Sequence, residues 1–128
     1  MNTETHPEIT DEAIKTVLRE VVKESPEKVY RAPAHMDSNG LGTCFYVHTH
    51  EDGTLATAGC VVGTLLHRLG VSLERLSPLE GLSATGVLRE LGLDGDSPLA
   101  DQLRRVQMSQ DHGATWAKAY AATFGEQA

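Results

Sequence analysis

Cysteine is scarce in this chain, with two copies, and aromatic residues are few, with one Trp, three Tyr and two Phe among 128 residues. Long apolar runs are missing altogether. None approaches the ~18–20 residues that a membrane-spanning helix needs, so no span is expected. Met1 to Pro7 has no basic stretch followed by an apolar one, which excludes a secretory signal of the usual pattern and points to the cytoplasm. In that compartment the two cysteines are expected to be reduced rather than bridged. Basic charge is also in deficit, 11 Lys and Arg against 18 Asp and Glu for a net −7. Such a balance does not suit a surface built to neutralise phosphates, and it argues against nucleic acid as the partner. No phosphate loop, dinucleotide fingerprint, paired acidic metal site or nucleophile elbow is present. The nearest candidate, Asn39-Gly40-Leu41-Gly42, lacks the lysine and the following helix that a phosphate cradle requires.

What is there suits one domain. A chain of 128 residues, 40% hydrophobic, is long enough for a single core. Residues 1–8 are polar and expected to be disordered, with the globular domain over 9–126. The central stretch runs from Cys44 to Gly70 and reads as strand, turn, second extended piece and helix. Cys44, Tyr46, His48 and His50 alternate with Phe45, Val47 and Thr49, which puts the first set on one strand face and the apolar set on the other. Glu51-Asp52-Gly53-Thr54 is a turn sequence, so a hairpin is predicted over 44–48 and about 54–58. Val61, Val62, Leu65, Leu66 and Leu69 then form a helical stripe over 60–69, stopped by Gly70.

Helices are expected on both sides. Thr10 can cap a helix with Asp11 and Glu12 in its first turn and Ile9 placed to staple against Ile14. Ile14, Val17, Leu18, Val21 and Val22 carry its buried face before Ser25-Pro26 ends it. Val29 to Ala32 suggests a short edge strand, and Ala34 to Thr43 a long loop. Ser77-Pro78-Leu79-Glu80 reads as a capping box opening a very short helix that Gly81 breaks. Ser83 caps a helix running to Gly92, and Ser97-Pro98 starts another. A break is predicted at Asp111-His112-Gly113, with a last helix from Ala114 to Phe124; one continuous helix over 98–124 is the alternative, because the apolar stripe runs through in phase. The predicted class is α+β and mostly helical, a small antiparallel β-hairpin packed against a bundle of about five helices.

Three candidate sites follow. Cys44, His48, His50 and Cys60 are residue types that hold zinc, but C-x3-H-x-H-x9-C departs from the usual ligand spacings. The favoured expectation is that no metal or other cofactor is bound, the cysteines being small buried hydrophobes and the histidines polar residues on the wet face of the hairpin. Cys60 at a helix start also has the placement of a thiolate nucleophile, though Val61-Val62 crowd it and no oxyanion loop can be assigned. Finally, Trp116, Tyr120 and Phe124 place half of the aromatic residues at helical spacing among Ala117 and Ala121, a stripe expected to form a major interface within the fold or with a partner.

Cys-Phe-Tyr-Val at 44–47, Gly-Cys-Val-Val-Gly at 59–63, Leu-His-Arg-Leu-Gly-Val at 66–71 and Gln-Asp-His-Gly-Ala-Thr-Trp at 110–116 together resemble small uncharacterised proteins encoded by bacteriophages of actinobacteria. The resemblance covers about residues 29–121. It implies a phage or prophage origin and the host cytoplasm as workplace, and no activity. The expected function is therefore a non-enzymatic binding protein acting on a host or phage protein, with a second copy of the chain as the other candidate partner. The alternatives are a small DNA-binding regulator with a helix-turn-helix at about 77–92, and a cysteine-dependent hydrolase.

Overall fold

Each helix begins where a small hydroxyl side chain, or a partner brought in from elsewhere, takes up the first free backbone N–H groups. The computed structural model describes residue 6, residues 8–36 and residues 44–128. Helix α1 spans Asp11–Glu24, and Thr10 Oγ1 accepts the Ala13 N–H at 3.1 Å. Helix α2 (Val61–Arg68), α3 (Leu73–Leu76), α4 (Ala84–Glu90), α5 (Pro98–Asp111) and α6 (Trp116–Phe124) follow, with one 3-10 turn at Ser77–Leu79. Between α1 and α2 lies a two-stranded antiparallel hairpin, β1 (Val47–Thr49) and β2 (Leu55–Ala58), paired Val47 with Ala58 and His48 with Thr57, with a bulge after His48. This is the α+β, mostly helical fold expected. Among the described residues no helix is long and apolar enough to cross a membrane.

The core joins α1, α2, α5 and α6, with α4 laid on α5. Leu18, Val61, Val62, Leu65, Leu66, Leu103 and Val106 are fully buried at its centre. The predicted stripes of α1 and α2 both point inward, and Gly70, with φ of +104°, turns the chain after α2 where an L residue would be strained. Residues 98–124 are two helices: Gly113 has φ of +96°, and Thr115 caps the second by accepting the Lys118 N–H.

Several expectations are corrected. Val29 to Ala32 is no strand; Val29 makes one isolated bridge with Thr115, and Pro33 cannot extend a ladder. The very short helix expected at Ser77 is the 3-10 turn Ser77–Leu79, preceded by a separate helix, α3, under a Ser72 cap, but Glu80 does not close a capping box. Its carboxylate accepts the N–H groups of Tyr46 and Val47 instead, at 2.8 and 3.1 Å. The proposed helix-turn-helix segment at about 77–92 is thus a single 3-10 turn, Ser77–Leu79, followed by one seven-residue helix. The expected faces of 44–50 do not separate, because Tyr46 and Val47 are both 1% exposed while Phe45 is only half-buried. At the N-terminus, residues 1–5 and 7 of the stretch expected to be disordered lie outside the described residues. His6 is buried and its N–H donates to the Leu91 carbonyl at 2.8 Å. Most of the expected loop 34–43 also lies outside them.

Candidate functional site

The hairpin meets the helices around a cystine. Cys44 and Cys60 form a disulfide with Cα atoms 5.8 Å apart. This overturns the expectation of reduced thiols, although their burial was foreseen: Cys60 is 0% and Cys44 9% exposed. The bond lies at the foot of the hairpin, where the ladder continues past β1 and β2 through Gly59 N–H to Tyr46 C=O and Cys60 N–H to Phe45 C=O, both 2.9 Å. Backbone ladder and cystine therefore hold the same two segments together. Both segments also pass close to α2. A Cβ on Gly63 would sit 2.3 Å from the Tyr46 carbonyl oxygen, so only glycine lets the strand lie against the helix.

A set of buried polar side chains surrounds the cystine, and α5 supplies two of them. Gln107 Nε2 donates to Tyr46 Oη at 3.0 Å and to Cys44 Sγ at 3.2 Å, while its Oε1 accepts the Ala84 N–H at 3.1 Å. Tyr46 Oη in turn donates to the Leu82 carbonyl, and burial pushes the phenol up to about 12. One turn along α5, Gln110 Oε1 accepts both the Val61 N–H, at 2.8 Å, and Trp116 Nε1–H, at 3.1 Å, and its Nε2 donates to Asp111 Oδ1. The starts of α2 and α4 are thereby satisfied from α5. Glu80 is held above its usual carboxylate range by burial, against the lowering effect of the two N–H groups it accepts.

The predicted ligand set is dispersed. The sulfur atoms of Cys44 and Cys60 are bonded to each other, so neither is a thiolate donor and Cys60 has no thiol to act as nucleophile. His48 Nε2 lies 2.8 Å from Tyr30 Oη, which also accepts the Phe45 N–H at 3.0 Å. Burial, with Lys28 and His35 adding to it, lowers the His48 pKa. His50 is exposed, its N–H bonded within the turn to Thr54 C=O. Among the described residues no three His, Cys, Asp or Glu side chains come together as the ligands of one metal ion would.

The aromatic stripe belongs to the fold. Trp116 and Tyr120 are 2% and 3% exposed, and Phe124, partly buried, stacks on Tyr120 with ring centroids 4.6 Å apart. What α6 leaves open lies beside the stripe. Between the last turn of α1 and the first turns of α6 is a groove of about 400 Å³ with Val22, Pro26, Ala117 and Ala121 on its floor and Lys23 and Lys118 at its rim. The N–H groups of Trp116 and Ala117 are consumed by the carbonyls of Lys28 and Pro26, at 2.9 and 3.0 Å. Lys28 itself lies with Nζ 4.6 Å from the centre of the Trp116 ring. Sequence reasoning missed this groove, because its walls come from helices nearly a hundred positions apart; the run of small residues at 117 and 121 was the only sign of it.

No family model matches this chain, and no curated protein and no solved structure matches it.

Proposed function

We propose that the chain is a non-enzymatic, phage-type binding protein that acts on a host or phage protein in the host cytoplasm. The observation that carries this reading is the open groove between α1 and α6, whose apolar floor is large enough to receive side chains of another protein. The polar groups near the hairpin support it from the other direction. Gln107, Gln110, Glu80, Tyr46 and Tyr30 are all engaged with backbone groups of this chain, as members of a scaffold. A cytoplasmic workplace is compatible with the cystine, since thiol exchange needs access to a sulfur and Cys60 is fully buried. For the DNA-binding alternative, the α4 arginine Arg89 is bonded to Asp96 at its Nη2, which leaves that short helix little free positive charge.

The test is capture from host lysate on immobilised full-length chain, with elution by excess free chain. A protein retained in stoichiometric amount and competed off is the expected result. Failure to retain any protein, together with a shift of duplex DNA that weakens steeply with salt, would replace this reading by the regulator.

A further inference from the structure

We infer that Met108 is a site of reversible oxidation to the sulfoxide by peroxide, and that Arg104 is the positioning residue that holds the oxidised side chain. Neither role depends on the protein-binding reading above.

Three features meet at this side chain. Met108 is 47% exposed, more than Leu82 at 40% or Val29 at 37%, so small molecules in water reach its thioether, although Val106 and Gln107 just before it are buried. Its sulfur already faces a cation, since Arg104 Nη1 donates to Met108 Sδ at 3.0 Å. That guanidinium is in turn fixed from its other side. Asp101 Oδ1 accepts Arg104 Nε–H at 3.0 Å and an Nη2–H at 2.7 Å, and positions 101, 104 and 108 follow one face of α5 at spacings of three and four. The donor therefore stands in place before the sulfur is oxidised.

The reaction is a two-electron transfer. A sulfur lone pair attacks one oxygen of hydrogen peroxide, the S–O bond forms as the O–O bond breaks, and the second oxygen leaves as water with the proton of the first. Thioether sulfur is a weak acceptor, whereas the sulfoxide is polar and carries an oxygen. With Arg104 beside it, a weak N–H···S contact becomes a charge-assisted N–H···O bond. A thiol-dependent methionine sulfoxide reductase reverses the step, removing the oxygen as water while two thiols become a disulfide.

Met36 gives the internal comparison. It is half-buried and its Sδ accepts the Thr49 N–H at 3.3 Å, tying the chain before the hairpin to β1. Oxidation there disturbs a backbone contact. Met108 instead stands on the wall of an open recess of about 670 Å³ between the end of α5 and α6, beside Ser109, His112 and Ala122, and is the one large apolar side chain in that lining. Its oxidation turns this surface polar and leaves the core untouched.

The test treats the native full chain with dilute hydrogen peroxide and follows the gain of one oxygen at each methionine by peptide mass. Met108 is expected to oxidise about fivefold faster than Met36. The protein oxidised at Met108 should keep an unfolding midpoint close to that of the unoxidised form, lose the oxygen to the reductase while folded, and show a moved Arg104 Nε–H proton signal. Oxidation should also cost more in Arg104→Gln than in the parent, the folded-to-unfolded ratio falling about threefold further for an exposed contact. Equal or faster oxidation of Met36, unfolding on oxidation of Met108, or refusal by the reductase overturns the site. An unmoved Arg104 signal, or the same effect of oxidation in Arg104→Gln as in the parent, overturns the role of Arg104; the signal is read in the parent and so decides this even where the variant is unstable.

Discussion

The side-chain carbonyl of Gln110 accepts the N–H of Val61 at 2.8 Å, across 49 positions of sequence. Val61 is the first residue of α2, and Cys60 before it makes no side-chain capping bond because its sulfur is tied to Cys44. The glutamine thus replaces the cap that the local sequence does not supply, and the same oxygen satisfies the indole of Trp116. α2, α5 and α6 are joined at one buried atom.

Replacing Gln110 by leucine should therefore cost far more than a lost surface hydrogen bond. It strands two buried donors, each worth roughly 1–3 kcal/mol. A loss of about 3 kcal/mol in urea unfolding is expected, with a smaller loss for Gln107→Leu, which strands the Ala84 N–H and removes one partner of Tyr46. A Gln110→Leu protein within about 0.5 kcal/mol of the parent would show that the cap is not limiting.

Reduction of the cystine should weaken the fold without dissolving it. A loop of this size, with a separation of 16 positions, gives a cross-link worth about 3 kcal/mol through the unfolded chain, but the backbone ladder at Tyr46 and Gly59 remains in the reduced form. The expected outcome is no free thiol in the native protein by reagent titration, and a clearly lower unfolding midpoint in the Cys44→Ser/Cys60→Ser variant, still with a cooperative transition. Two rapidly titrating thiols in protein purified without reductant would contradict the bonded state.

Gly63 offers a test in which two effects have opposite signs. Alanine is better than glycine inside a helix by about 1 kcal/mol, whereas its Cβ would fall 2.3 Å from the Tyr46 carbonyl oxygen, a backbone atom in a cross-linked segment. Forced overpacking typically costs 1–3 kcal/mol or more, so the clash should win and Gly63→Ala should be destabilised. A stabilised variant would mean that the hairpin can move off α2.

His48 predicts a pH dependence of definite sign. Its pKa is lowered in the folded state by burial first, then by Lys28 and His35, so near its usual value of ~6.5 the unfolded chain takes up a proton that the folded chain refuses. The stability it contributes is present above that pH, is lost as pH falls toward the depressed folded value, and levels off below it. Unfolding midpoints across that range should fall more steeply for the parent than for His48→Gln. Glu80 and Asp111, both raised by burial, titrate in both proteins and cancel from the comparison. Parallel profiles would remove His48 from the account.

The C-terminal stripe predicts loss of cooperativity. Truncation after Gln110 removes Trp116 and Tyr120 from the core and leaves the carbonyls of Pro26 and Lys28 without the N–H groups they accept; for Trp116→Ala alone about 3–5 kcal/mol is expected. A truncated chain that still unfolds in one sharp transition would place the stripe outside the core.

The sequence by itself determined the helices and most of their ends. Thr10, Ser83 and Ser97 cap where they stand, and the apolar periods of α1, α2 and α5 are local properties that burial on one face makes legible. The hairpin was readable for the same reason, from Asp52-Gly53 between alternating segments. What tertiary structure alone decided are the partners of polar groups. Glu80 looked like the end of a capping box and instead closes on the backbone of the hairpin. His48 looked like a ligand beside Cys44 and turned to Tyr30, while the two cysteines found each other. A hydrogen bond or a cystine is made by whichever groups the packed chain brings within about 3 Å, a distance that spacing along the sequence does not encode. The groove beside α6 is of the same kind, since its floor exists only once the end of α1 lies against Ala117 and Ala121.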